Sequence, residues 1–124
     1  MKANDRPLTP AALQILLALA ESDLHGYGIM QSVKRQSDGQ FKLGPGTLYA
    51  NLDRLLAAGL VKEVQRKLPK GELRREYSLS ATGEQTLRAE VRRLQQVVAT
   101  AGRLGQLDGR LSGRLSGRLS KRGA

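Results

Sequence analysis

The stretch GPGTLYANLDRLLAAGLV, residues 44–61, decides the fold of this chain. Its leucines recur at helical spacing and predict one buried helix face that ends before Gly59, made of Leu48, Leu52, Leu55 and Leu56. The helix opens with Gly44-Pro45-Gly46 instead of the Ser, Thr, Asp or Asn that usually caps a helix start. Such a bare N-terminus suits an anion such as a phosphate. The alternative is a tight turn that needs glycine for its dihedral angles.

Two further helices are predicted on the N-terminal side of this stretch. Thr9 before Pro10 places a cap residue ahead of a proline at the first helical position, which predicts a helix over about residues 9–21. Its predicted inner face consists of Leu13, Leu16, Leu17 and Ala20. A second helix carries Ile29, Met30 and Val33 and ends near Asp38-Gly39. Three short helices with tight connections predict a helix-turn-helix core.

A β-hairpin is predicted on the C-terminal side. LVKEVQRK, residues 60–67, and ELRREYSLS, residues 72–80, have strand character and flank LPKG, whose proline and glycine indicate a loop. Tyr77 in the second strand is expected to pack in the core. Three helices followed by a hairpin is the order of a winged helix.

A longer helix, capped by Ser80 and running to about residue 101, carries an apolar stripe at spacings of four and three: Leu87, Val91, Leu94, Val98 and Ala101. The preceding domain is too small to cover the whole stripe, so we expect it to form the seam of a two-fold dimer. The alternative is that the stripe folds back on the first helix.

The composition changes at Gly102, and GRLS occurs three times in tandem over residues 109–120. Residues 102–124 hold six basic residues and one acidic residue, a net charge of +5. Glycine at every fourth position disfavours a helix, so a basic, mostly disordered tail is predicted. The fold class is therefore mainly α with a small β-hairpin, organised as a winged helix-turn-helix over residues 1–79, a dimerisation helix over residues 80–101 and the tail.

The composition narrows the function classes. With 124 residues the chain holds one domain, and 21 Lys and Arg against 11 Asp and Glu give a net charge of +10, which favours an anionic partner. No apolar run reaches the roughly 20 residues of a membrane span. Lys2, Arg6 and the apolar residues 11–20 imitate an export signal, but Asp5 and Gln14 interrupt that pattern.

The sequence offers no candidate residues for catalysis or for metal binding. His25 is the single histidine and there is no cysteine, so neither a histidine-based triad nor a metal cluster can be assembled. We expect His25 to orient the turn between the first two helices. No enzyme activity and no cofactor are predicted.

Three stretches resemble one family, the PadR-type transcriptional regulators. LHGYGIMQSV, residues 24–33, resembles its second-helix signature; residues 43–61 resemble its third-helix signature; and RREYSLSATGEQTL, residues 74–87, is similar to its hairpin return and last helix. The resemblance covers about residues 8–101 and implies a cytoplasmic, winged-helix homodimer that represses transcription from a palindromic operator in double-stranded DNA. It also implies a small-molecule inducer, since some members respond to aromatic compounds. Two departures are a last helix without aromatic residues and the glycine-rich tail.

Within the third helix, four residues opposite the leucines are candidates for entering a major groove: Thr47, Ala50, Asn51 and Arg54. Arg54 can bind guanine bidentately and Asn51 adenine, although both could simply solvate an exposed face. The backbone N–H groups of Gly46 and Thr47 are expected to approach a phosphate. The Tyr49 hydroxyl either contacts a phosphate or packs against the second helix.

The hairpin supplies a basic wing for the phosphate backbone, formed by Arg66, Lys67, Lys70, Arg74 and Arg75. Because glutamates interleave with these cations, the alternative of a merely soluble hairpin that contacts no phosphate stays open. The leading hypothesis is a dimeric, sequence-specific repressor, and the rival is a non-specific nucleic-acid-binding protein driven by its basic tail. A protein-interaction module built on a winged helix is the third class.

Overall fold

The computed structural model describes residues 7–108, with side chains through residue 105. Its elements, in chain order, are α1 (Pro10–Glu21), α2 (Gly26–Gln36), α3 (Pro45–Ala57), β1 (Val61–Lys67), β2 (Leu73–Leu79) and α4 (Ala81–Asp108). This order confirms the predicted fold class, a mainly α protein with one hairpin and a C-terminal helix. The GRLS repeats lie outside the described residues. The chain divides into two units, Met1–Glu90 and Val91–Ala124.

Helix α1 begins as predicted, because Thr9 Oγ1 accepts a hydrogen bond from the Ala12 N–H at 3.1 Å and Pro10 occupies the first turn. Its inner face differs from the prediction: the buried residues are Ala12, Ile15, Leu16, Ala18 and Leu19. Ala20 is exposed. The predicted stripe was a single helix face, whereas α1 contacts α2, α3 and β2, so its buried arc is wider.

Helices α2 and α3 complete the core. Ile29, Val33 and Leu48 are fully buried and Leu52 nearly so. Helix α2 ends where Asp38 and Gly39 adopt positive φ angles of 51° and 76°, which a continuing helix does not allow.

The hairpin pairs β1 with β2 in an antiparallel register from Val61 opposite Leu79 to Lys67 opposite Leu73. The loop closes through Gly71, whose φ of 88° suits glycine. The other edge of β2 pairs with the α1–α2 connector, since the Leu24 N–H donates to the Tyr77 carbonyl at 3.1 Å and the Tyr77 N–H donates back at 2.8 Å. Tyr77 is 3% exposed, which confirms its place in the core.

Helix α4 is fixed at its start. Ser80 Oγ accepts from the Gly83 N–H at 2.9 Å, which confirms the predicted cap, and donates to the Gly59 carbonyl at 2.7 Å. Gly83 lies so close to the Leu60 carbonyl oxygen that a Cβ would overlap it.

Two predictions about α4 are wrong. Leu87 is 6% exposed and belongs to the core of the Met1–Glu90 unit, so it is not free for a dimer seam. The helix also continues through Asp108, past its predicted end at about residue 101. Extending an existing helix avoids the cost of nucleation, which offsets part of the cost of Gly102 and Gly105. Within residues 7–108, no helix is both long and apolar enough to cross a membrane.

Candidate nucleic-acid interface

The N-terminus of α3 is bare. Gly44 is its N-cap, with φ of −80° and ψ of 167°, and no side chain caps the helix. The first helical hydrogen bond runs from the Leu48 N–H to the Gly44 carbonyl at 3.0 Å. Helix geometry leaves the earlier N–H groups, including those of Gly46 and Thr47, without a helical acceptor, and the first turn has no acidic residue.

The glycines at this end are not needed for a turn. Neither Gly44 nor Gly46 has a positive φ angle, and a Cβ at either position would meet nothing within 4 Å. The alternative of a turn that needs glycine dihedral angles is therefore wrong here. Neither conformation nor packing among the described residues requires glycine at these positions.

The outer face of α3 is narrower than predicted. Thr47, Ala50 and Arg54 are exposed, and Arg54 forms no ion pair within the described part of the chain. Asn51 is 7% exposed and its Nδ2 donates to the Thr47 carbonyl at 2.8 Å, so its predicted place on the outer face is wrong. Asn51 follows Leu48 by three positions, which puts it on the buried side of the helix.

Tyr49 packs against α2. A Cβ at Gly26 would overlap its hydroxyl and lie 3.0 Å from its Cζ, so the ring lies over the first turn of α2. Tyr49 as a whole is 40% exposed, and the phosphate contact of its hydroxyl stays a prediction.

Strand alternation divides the predicted cations of the wing between two faces. Arg66 is directly opposite Arg74, and both share a face with Glu76. Lys67 and Arg75 lie on the other face, and Lys70 lies in the loop. The five cations therefore do not form one continuous surface of the hairpin.

The wing arginines are all paired. Arg66 Nε donates to Glu76 Oε1 at 2.7 Å, Arg74 Nη2 donates to Glu76 Oε2 at 2.8 Å, and Arg75 Nη1 lies 3.6 Å from Glu63 Oε2. The hydrogen bond from Arg66 outweighs burial and holds the pKa of Glu76 below its ordinary value. Lys67 and Lys70 are exposed and have no ion pair among the residues that the structure describes.

The sequence prediction missed a basic groove beside α3. A solvent-open cavity of about 870 Å³ lies along α2 and the α2–α3 connector. Its lining includes Tyr27, one carboxylate, Asp38, and three cations, Lys34, Arg35 and Lys42. None of these three cations is in an ion pair within residues 7–105. Lys42 stands two residues before Gly44, so the groove adjoins the bare end of α3. Adjacent Lys34 and Arg35 were visible in the sequence, but the path of the connector was not.

His25 precedes α2 as its N-cap residue, with its ring packed against Gly28, in keeping with the predicted role in the turn. Over the described range, no cluster of three His, Cys, Asp or Glu side chains could hold a metal.

Comparisons with known proteins identify the family. The profile described as "Transcriptional regulator PadR-like family" matches residues 15–89. The transcriptional regulator Rv3488 of Mycobacterium tuberculosis is 34% identical over 85 residues, which cover 68% of this chain and 76% of that protein. An uncharacterised 37.1 kDa protein in transposon TN4556 of Streptomyces fradiae is 36% identical over 90 residues; these cover 73% of this chain but only 23% of that protein.

Solved structures agree on the fold. A PadR family transcription regulator from Clostridium difficile superposes with a TM-score of 0.66 at 22% identity, covering 77% of this chain and 98% of that one. Bacillus subtilis PadR in complex with operator DNA superposes with a TM-score of 0.57 at 21% identity, covering 64% of this chain and 46% of that one. The chain therefore belongs to the PadR-like family of transcriptional regulators.

Proposed function

We propose that this regulator is a dimeric, sequence-specific DNA-binding repressor that acts in the cytoplasm on a palindromic operator. The bare start of α3 carries the proposal. Two glycines that the chain itself does not require leave the N–H groups of Gly46 and Thr47 open to a phosphate oxygen. Arg54, exposed and unpaired within the described residues, is the candidate for reading a base from the same helix.

Unpaired cations in the wing and in the groove add to this surface. Lys67 and Lys70 supply the wing, and Lys34 and Lys42 supply the groove on α2. Contacts of this kind position a protein on the phosphate backbone, whereas Arg54 supplies the sequence preference. The solved operator complex of Bacillus subtilis PadR supports DNA as the partner of this fold.

The outer half of α4 supports the dimer. Three of its apolar side chains are about half exposed or more: Val97 at 53%, Val98 at 69% and Leu104 at 49%. They recur at helical spacing with Leu94 and Ala101, so they form one apolar stripe. A second copy of α4 would remove this stripe from water, and two-fold symmetry would place two α3 helices on successive half-sites about 34 Å apart.

An inducer would bind without aromatic stacking by side chains of α4, because residues 81–108 contain no Phe, Trp or Tyr. Tyr27 is 62% exposed and borders the groove that holds Lys34 and Lys42. An organic anion with an apolar body fits that lining, and its charge would neutralise cations that the phosphate backbone uses.

Selection and sequencing of the genomic fragments that the protein retains, followed by competition with random duplex, tests the proposal. We expect one palindromic motif, bound about a thousandfold or more tightly than random DNA at physiological salt. The rival, a non-specific nucleic-acid-binding protein driven by the basic tail, predicts no motif and equal competition by every duplex. That result would refute sequence-specific repression.

A further inference from the structure

The carboxylate of Glu76 lies between two guanidinium groups that come from opposite strands of the wing. It accepts from Arg66 Nε at 2.7 Å on one oxygen, and from Arg74 Nη2 at 2.8 Å and Nε at 3.2 Å on the other. Arg66 and Arg74 are directly opposite each other in the ladder, so their charges are adjacent whether or not the carboxylate is present. Glu76 is 3% exposed, which separates it from an ordinary surface ion pair.

Each guanidinium keeps one terminal nitrogen, Nη1, outside these contacts. Glu76 takes the Nε edge of Arg66 and the Nε–Nη2 edge of Arg74, and the side chain of each arginine remains 50% and 40% exposed, respectively. Arg66 Nη2 also lies 3.9 Å from Asp23, which ties this side chain to the α1–α2 connector. The Nη1 atoms of Arg66 and Arg74 have no hydrogen bond or ion pair among the described residues.

We propose that Glu76 is a positioning residue that holds Arg66 and Arg74 as a paired site for one phosphate of the DNA backbone. This inference rests on the proposed DNA-binding function. Two fixed guanidinium groups lose less rotamer freedom on binding than two mobile ones, and their planar N–H groups match phosphate oxygens. The buried carboxylate offsets the repulsion between the two cations. Arg66, Arg74 and Glu76 together carry a charge of +1, which the more distant Asp23 carboxylate, 3.9 Å from Arg66 Nη2, partly offsets. The lowered pKa of Glu76 keeps the carboxylate ionised at neutral pH.

A positioning role for Glu76 and simple electrostatics predict opposite effects on DNA binding when its negative charge is removed. Removing a negative charge from a basic wing should tighten DNA binding through long-range attraction. Glu72→Gln, at an exposed position next to the loop, provides this control on the same hairpin. We expect Glu72→Gln to bind a labelled random-sequence duplex as tightly as wild type or more tightly, and Glu76→Gln to bind about tenfold more weakly, since two side chains must then be ordered on binding.

A double-mutant cycle separates positioning from general damage to the fold. In a background of Arg66→Ala with Arg74→Ala, Glu76→Gln should cause no further loss of affinity, because its targets are gone. A loss of the same size in both backgrounds would overturn positioning in favour of a structural role. Thermal unfolding monitored by circular dichroism accompanies each variant. Arg74→Lys, which keeps the charge but cannot donate from two nitrogens, should also weaken binding several-fold and serves if Glu76→Gln does not fold.

The outcomes distinguish a failure of the proposed DNA binding from a failure of positioning by Glu76. Wild type that binds no duplex at low salt would refute DNA binding and the phosphate site with it. Wild type that binds, with Glu76→Gln as tight as Glu72→Gln, would refute positioning alone.

Discussion

The hydroxyl of Tyr49 lies over the Cα of Gly26, where any β-carbon would overlap it. This contact joins the first turn of α2 to α3, and its two partners lie in two of the three stretches that resemble the family, in HGYG and GTLY. Gly26 leaves room for the Tyr49 side chain in this position, whereas Gly44 and Gly46 have open space around them.

Two glycine substitutions that both create an overlap should differ in cost. At Gly26 the obstacle is the end of a partly exposed tyrosine, which can swing away, so Gly26→Ala should change the free energy of unfolding by less than about 1 kcal/mol. At Gly83 the obstacle is the backbone carbonyl of Leu60, and Gly83→Ala should cost about 1 to 3 kcal/mol. Urea unfolding of both variants provides the measurement. Equal stabilities would show that the start of α4 is not held against Leu60.

Acid should weaken the wing through Glu76. Because the pKa of its carboxyl is lower in the folded protein, the ionised group stabilises the fold above its ordinary pKa of about 4.3, and this stability disappears as the pH falls through the lower folded value. Arg66 and Arg74, which face Glu76, keep their charges throughout. The free energy of unfolding of wild type should exceed that of Glu76→Gln by about 1.5 to 3 kcal/mol at pH 7. In thermal melts the difference should shrink below about pH 4, and a constant difference down to pH 2 would contradict the ionised cluster.

Arg54 and the wing lysines should have different effects on sequence preference. Arg54→Ala should weaken binding to the selected site by about 1 to 3 kcal/mol and relax the preference at one position in each half-site. Lys67→Ala with Lys70→Ala should weaken binding to every duplex alike and lower the salt slope by about one for each phosphate that is no longer neutralised. Titrations at several salt concentrations distinguish them, and equal losses on all sequences for Arg54→Ala would make Arg54 a phosphate contact.

Val98→Asp tests the dimer without disturbing the subunit. Val98 is 69% exposed in the single chain, so the substitution should leave the thermal transition of the winged helix in place. A charge in the seam of a dimer should cost several kcal/mol and favour monomers with weak half-site affinity. Gln96→Asp, on the opposite side of α4, is the matched control and should remain dimeric. Sedimentation of wild type at micromolar concentration decides the matter, because a monomer would contradict the seam.

The sequence predicted the elements well because their signals are local. Thr9 and Ser80 cap the helices that they were expected to cap, and the hairpin forms around the predicted proline and glycine. The errors arose where a side chain's surroundings depend on distant parts of the chain. Asn51 is buried because the inner arc of α3 includes it, and Leu87 is buried because the start of α4 belongs to the core. The pairing of Arg66 and Arg74 with Glu76 required the register of the hairpin, which periodicity alone does not fix.

The uncapped start of α3 also bears on how the protein would respond to selection in the laboratory. A Ser or Asp at position 44 would supply the missing cap, and relative to glycine such a cap typically adds a few tenths of a kcal/mol to a helix. A screen for heat resistance alone would therefore enrich Gly44→Ser or Gly44→Asp, although either side chain would crowd the place where a phosphate is proposed to sit. Among thermostable variants collected without a binding assay, those substituted at position 44 should bind the operator more weakly than wild type. The residue found at position 44 would therefore show whether a screen had selected for stability or for DNA binding.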